Sequence, residues 1–124
     1  MIAGVGIDLC EISRMEKLYQ DERFLARFFS AGEREYIACK GRSGPQSMAG
    51  IFAAKEALAK CLGVGITADI RDISVLHDKL GAPYYSLSGE YARLAEDRRI
   101  ASFFLSITHE NGMAAAVCVA ERNG

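Results

Sequence analysis

The sequence has no Cys-x-x-Cys pair and no metal-knuckle spacing among its four cysteines, Cys10, Cys39, Cys61 and Cys118. A zinc ribbon or a thiol–disulfide motif is therefore excluded. Three of the four sit inside apolar patterns and read as small core residues in a reducing cytoplasm. An excess of either charge is also missing. At a net charge of −1 nothing points to nucleic acid or to a membrane surface. No apolar run is long enough to span a bilayer, and no signal peptide opens the chain. Repeats, linkers and low-complexity segments are absent. What remains is 124 residues, half of them hydrophobic and a quarter charged, the profile of one globular domain over 1–124. Its core is modest, so association with other copies would help it.

The stretch Phe52-Ala53-Ala54-Lys55-Glu56-Ala57-Leu58-Ala59-Lys60 consists of good helix formers and holds no breaker. At about 100° per residue, Ile51, Ala54, Ala57, Leu58, Cys61 and Leu62 share one side. Glu56 and Lys60 share the other, one turn apart. Alone, this describes a surface helix with an i,i+4 ion pair worth a few tenths of a kcal/mol. The helix runs into Gly63-Val64-Gly65, however, where a backbone can approach a phosphate closely.

At the start of the chain, Ala3, Val5, Ile7 and Leu9 alternate with the period of a strand. Ile2, Gly4, Gly6 and Asp8 face the other way. Two glycines on one face predict that something packs very close to it. Asp8, at the strand's last turn, reads either as a cap for the next helix or as a metal-binding carboxylate. Helical spacing follows over Ile12, Met15, Leu18 and Tyr19, and again over Phe24, Leu25, Phe28 and Phe29. Basic and acidic residues balance between Glu11 and Arg27, as on a solvated face. Ser30-Ala31-Gly32-Glu33 is a capping box for a helix to about Cys39. Gly41 to Gln46 reads as a loop, and the central helix as Ser47 to Leu62. Strands are predicted over Ile70–Leu76 and Tyr84–Leu87, with a turn at Gly81-Ala82-Pro83. A helix over Glu90–Asp97 precedes strands Ser102–His109 and Met113–Glu121, joined through Asn111-Gly112. Apolar residues on both sides of the last strand predict that both its faces are covered. The mixture lacks a βαβ rhythm and indicates an α+β fold.

Three groups recur in order along the chain: Asp8 after Gly-Ile, Phe52-x-x-Lys55-Glu56-x-x-x-Lys60 with Gly63-x-Gly65, and Ser106-x-x-His109. Together they resemble the holo-(acyl-carrier-protein) synthases, the short bacterial 4′-phosphopantetheinyl transferases. The resemblance implies a mostly antiparallel sheet packed against a long central helix. It implies that coenzyme A gives its phosphopantetheine arm to a serine of an acyl carrier protein and leaves adenosine 3′,5′-bisphosphate. Asp8 and Glu56 match the ligand positions for Mg²⁺, or Mn²⁺, which takes few protein oxygens besides phosphates and waters. Lys60 would meet the pyrophosphate as a point charge. Glu56, directly or through a water on the metal, would accept the serine proton. His109 would touch the adenosine bisphosphate, and the amides around Gly63 and Gly65 would line the donor channel. The family's acidic carrier docks on basic residues of the first helix, where Arg14 stands, with Lys17, Arg23 and Arg27 as neighbours. Its short members are homotrimers with active sites between subunits.

The chain departs from the family pattern at three places. Ile51 stands where relatives often carry Arg, Gly81-Ala82-Pro83 where Gly-Lys-Pro is common, and Thr108-His109-Glu110 where many have Ser-His-Asp. None of the three is a metal ligand. Two other classes use the same residues. A metal-dependent pyrophosphate hydrolase would turn over coenzyme A without a carrier, and a non-catalytic nucleotide-binding module would need no metal for turnover.

Overall fold

Strand β1 (Ile2–Glu11) leads into three short helices in the computed structural model, which describes residues 1–123. These are α1 (Ile12–Leu18), α2 (Glu22–Phe28) and α3 (Ala31–Ala38), and the long helix α4 (Gly44–Cys61) follows. Next come strands β2 (Ile73–His77) and β3 (Pro83–Leu87), helix α5 (Gly89–Asp97) and strands β4 (Ile100–Glu110) and β5 (Met113–Arg122). Pairing is antiparallel throughout, in one sheet of order β1-β5-β4 and a separate β2-β3 hairpin. The fold is α+β, with α4 at its centre, as expected.

The glycine face of β1 explains how α4 is seated. A Cβ on Gly4 would strike the carbonyl of Cys61, and one on Gly6 the carbonyl of Ala57. Only bare backbone lets the helix lie this close. The apolar side of β1 faces outward instead, and Val5, Ile7 and Leu9 are exposed. Around the rest of its circumference α4 packs on β5, β4, α1, α3 and β2. From Met48 to Cys61 every residue is buried except half-buried Glu56 and exposed Lys60. The amphipathic reading was therefore too shallow. Alanines on the polar side of the wheel are small enough to be covered by α1 and α3.

Other boundaries also moved. The predicted loop over Gly41–Gln46 is a 3-10 turn (Gly41–Ser43) running straight into α4. Pro45 sits in the first turn of α4, where its missing N–H goes unneeded. Ile70–Asp72 is a 3-10 turn rather than strand. Asp69 Oδ1 accepts from the Arg71 amide at 3.0 Å, offering the backbone a turn in place of a ladder. On β5 the residues Ala114, Ala116, Cys118 and Ala120 are buried under α4, but Ala115, Val117 and Val119 on the other face are only half-buried. The expectation that both faces are covered fails within this chain. The capping box is present, with Glu33 Oε1 accepting from the Ser30 amide at 2.8 Å and Ser30 Oγ from the Glu33 amide at 3.3 Å. Asn111 and Gly112 both take positive φ, +53° and +76°, as a two-residue hairpin turn requires.

Candidate active site

Asp8 lies within β1, opposite Ala116 of β5, with its side chain on the α4 side. It caps nothing. Helix α1 starts at Ile12 and has Glu11 at its N-cap position, without a side-chain cap. Asp8 Oδ1 instead accepts from Lys60 Nζ at 3.0 Å, and the same ammonium donates to the Ile7 carbonyl at 3.2 Å. Lys60 thus crosses from α4 to β1, and the Glu56–Lys60 ion pair suggested by the helical wheel is not the contact it makes. Glu56 stands one turn before Lys60 on α4. Burial and then the negative charge of Asp8 hold its carboxyl above the ordinary value, against the opposite influence of Lys60 and Arg14. Two carboxylates that feel each other's charge are a donor set for a hard cation with oxygen ligands. Among the described residues no third His, Cys, Asp or Glu joins them, so the remaining ligands would be water and substrate oxygens.

Arg14 of α1 reaches α4 at Phe52, one turn before Glu56. Its guanidinium stands 5.3 Å from the centre of the Phe52 ring. Phe52 also stacks with Phe24 and Phe28 of α2, at 6.5 and 6.3 Å. Arg14 and Lys17 line a cleft of about 390 Å³ with Glu11, Ser13 and the start of β5. Arg27 lies on α2, over Phe28, and lines a different cleft with Asp69 and Arg71, while Arg23 is exposed on α2. The four predicted docking residues therefore fall on two helices.

Gly63 ends α4. Its φ is +76°, and the Val64 amide reaches back to the Ala59 carbonyl at 3.1 Å while the Gly63 amide reaches that of Lys60 at 2.9 Å. That is a Schellman termination, a local reason for glycine independent of any ligand. Gly65 is exposed, with open space where a Cβ would stand. His109 is exposed near the end of β4, and its Nε2 lies 3.1 Å from the Gln46 amide nitrogen. Both line a cleft of about 260 Å³ walled by Tyr36, Ser47, Ile51, His77 and the 81–83 turn, not by Asp8, Glu56 or Lys60. One chain thus carries two separate groups of predicted site residues.

Two features escaped the sequence reading. The His77 and Tyr36 rings stack at 3.8 Å, nearly parallel, beside the His109 cleft. His77 Nδ1 is buried without a partner, and burial together with Lys40 holds the imidazole below its ordinary pKa. The second is a fully buried ion pair, Lys55 Nζ to Glu33 Oε1 at 2.5 Å. Spacing cannot reveal either, because each joins elements far apart in the chain. The Ser30–Glu33 box identified Glu33 but only its local partner.

Residues 4–118 match the model of the 4′-phosphopantetheinyl transferase superfamily. The chain belongs to that superfamily, and it is an enzyme of the transferase class. Its similarity is to one branch in particular. It is 43% identical to the holo-[acyl-carrier-protein] synthase of Treponema denticola over 98% of this chain and 99% of that one. Among solved structures, the holo-[acyl-carrier-protein] synthase of Neisseria meningitidis superposes with a TM-score of 0.88 at 31% identity, covering 98% of this chain and all of that one. That of Helicobacter pylori, solved in complex with coenzyme A, gives 0.81 at 36% identity over 94% and 99% of the two chains.

Proposed function

We propose that this chain is a Mg²⁺-dependent holo-(acyl-carrier-protein) synthase. It moves the 4′-phosphopantetheine arm of coenzyme A onto a serine hydroxyl of an apo acyl carrier protein and releases adenosine 3′,5′-bisphosphate. The observation that carries the reading is the Lys60 ammonium of α4 bound to Asp8 of β1, on a helix that carries Glu56 one turn earlier. Asp8 and Glu56 would hold the cation, whose chemistry is to neutralise charge on the pyrophosphate and orient it. Mn²⁺ suits the same oxygen donors.

The chain's own residues account for the rest of the transfer. Glu56, its carboxyl already raised above the ordinary range, is the proton acceptor for the attacking serine. Lys60 is a compact positive charge at the rim of the pair and favours the pyrophosphate oxygens as negative charge grows there. Coenzyme A is the donor and lies along the chain end of α4, past Gly63 and Gly65. His109, oriented by Gln46, takes the adenosine bisphosphate portion. The carrier's acidic surface docks on Arg14 and Lys17 of α1, with Arg23 and Arg27 extending the patch from α2.

The separation of the His109 cleft from Asp8 and Glu56 favours active sites shared between subunits of a homotrimer. The open sheet face supports this reading. Val5, Ile7 and Leu9 of β1, Val117 and Val119 of β5 and Phe104 of β4 are cross-strand neighbours that no helix among the described residues covers. We read the chain as one domain and as cytoplasmic; no helix among the described residues is long and apolar enough to cross a membrane. The deciding experiment is the mass of an apo carrier protein after incubation with this chain, coenzyme A and Mg²⁺. A gain of one phosphopantetheine supports the proposal. Turnover of coenzyme A with an unchanged carrier, or no turnover at all, defeats it.

A further inference from the structure

We infer that the buried Lys55–Glu33 ion pair fixes the rotation of α4 and thereby holds Glu56 turned toward Asp8. This rests on the reading of Asp8 and Glu56 as the cation-binding pair. Both side chains of the ion pair are 0% exposed, so neither can touch a substrate. Taking two charges out of water costs more than their attraction returns unless other hydrogen bonds complete the arrangement. They do so here. Glu33 Oε1 also accepts from the Ser30 amide and Glu33 Oε2 from the Val75 amide, each at 2.8 Å. One carboxylate therefore ties the start of α3 and strand β2 to the middle of α4. Next to Lys55, the Ala54 carbonyl accepts from Tyr85 Oη of β3 at 2.5 Å, a second tie to the same hairpin.

The other contacts of α4 set its distance better than its rotation. Toward β1 it meets bare Gly4 and Gly6 through Ala57 and Cys61, while Met48, Ile51 and Leu58 are buried in the apolar core. Apolar contact is non-directional, whereas a charge-assisted hydrogen bond has a defined direction. Lys55 and Glu56 are consecutive, so their side chains leave the axis about 100° apart and turn together. On a helix radius of about 5–6 Å, a rotation of roughly 20° sweeps a side-chain tip by about 2 Å. A metal ligand tolerates only about 0.2 Å. Lys55 is thus a positioning residue acting through Glu56, and Glu33 is its anchor.

The test is Mn²⁺ binding in the presence of coenzyme A, followed by electron paramagnetic resonance of the free ion. The main variant is Lys55→Met with Glu33→Gln, which removes both charges and keeps a carbonyl acceptor for one amide. Folding is checked by circular dichroism. The expected result is a folded protein whose Mn²⁺ affinity falls by about 10- to 100-fold, the range seen when a ligand loses its support. kcat falls with it, in step with the lost metal affinity. Lys55→Arg is the second variant. It retains both charges but forces a wider head group into the same space, so it too should weaken Mn²⁺ binding, and it decides the matter if the double variant does not fold. A folded variant of either kind that binds Mn²⁺ like the wild type overturns the inference. Wild-type protein that takes up no Mn²⁺ defeats instead the cation-site reading beneath it.

Discussion

Lys60 reaches Asp8, not Glu56: its Nζ lies 3.0 Å from Asp8 Oδ1, joining α4 to β1. The pair is surface-like, with the lysine side chain 54% exposed, so as a stabilising contact it contributes under about 1 kcal/mol. Its proposed value is in transfer. An interaction that strengthens as charge grows on the pyrophosphate appears in kcat. Lys60→Ala should slow kcat by about a hundredfold or more, the loss seen when one preorganised charge stabiliser is removed. The unfolding midpoint should barely move. Lys60→Arg should recover only part, since a planar fork does not replace a compact ammonium. Steady-state transfer and thermal unfolding on the same variants check this. A lowered midpoint with wild-type kcat would leave Lys60 a structural residue only.

Glu56 carries a pH signature. Its folded-state pKa is raised by burial and by Asp8, so between the unfolded and folded values the native state binds more protons than the unfolded one. Stability then falls as pH rises through that window, and above it the charged form carries a constant penalty. Without divalent ions, Glu56→Gln should therefore raise the unfolding midpoint at neutral pH. The gain should vanish below the ordinary glutamate value of about 4.3. Added Mg²⁺ should stabilise the wild type, and neither Glu56→Gln nor Asp8→Ala. Both variants should lose metal-dependent transfer. Equal midpoints for wild type and Glu56→Gln at every pH would contradict the raised carboxyl.

Of the proposed docking residues Arg14 is the best placed to be tested, because it is held over Phe52 and bordered by a cleft that also contains Lys17. An acidic partner meeting such a patch is steered to it, with a salt-sensitive association rate. Arg14→Glu should raise KM for the carrier by about tenfold or more, the cost of one reversed interfacial charge, and leave KM for coenzyme A near the wild-type value. Salt should weaken the wild type more than the variant. Equal changes in both Michaelis constants would place the docking face elsewhere.

How much of this was legible beforehand depended on distance along the chain. The glycine alternation in β1 foretold a close neighbour, and Ala57 and Cys61 of α4 proved to be that neighbour. The Ser30–Glu33 box and the Asn111-Gly112 turn depend on residues within one turn of each other, and both formed. The partner of Lys60 was missed because a helical wheel displays only contacts within one helix. Glu33 was recognised by one oxygen, but its bonds to Lys55 and Val75 depend on packing that no local pattern encodes. The buried Lys55 was hidden because Ala53, Ala57 and Ala59 do not mark which face of a helix is covered.

The open sheet face supplies the last prediction. Ile7 is 63% exposed, sits opposite Val117 and lies on the strand that also carries Asp8. A contiguous apolar face of this kind is covered in a stable protein, and a head-to-tail contact that closes on itself gives a ring. Wild-type protein should sediment as a trimer at micromolar concentration. Ile7→Lys should give a folded monomer, because the new ammonium would stand in water in the single chain but be buried in the assembly. That monomer should lack transfer activity if the His109 cleft of one subunit completes the Asp8–Glu56 group of the next. Mixing provides the sharper measurement. Glu56→Gln and His109→Ala chains are each expected to be inactive alone. Co-refolded in equal amounts, they should regain about a quarter of the wild-type sites, since each shared site draws one sound half from each kind of chain. No recovery on mixing, or a monomeric Ile7→Lys protein with full specific activity, would mean that one chain holds the whole site.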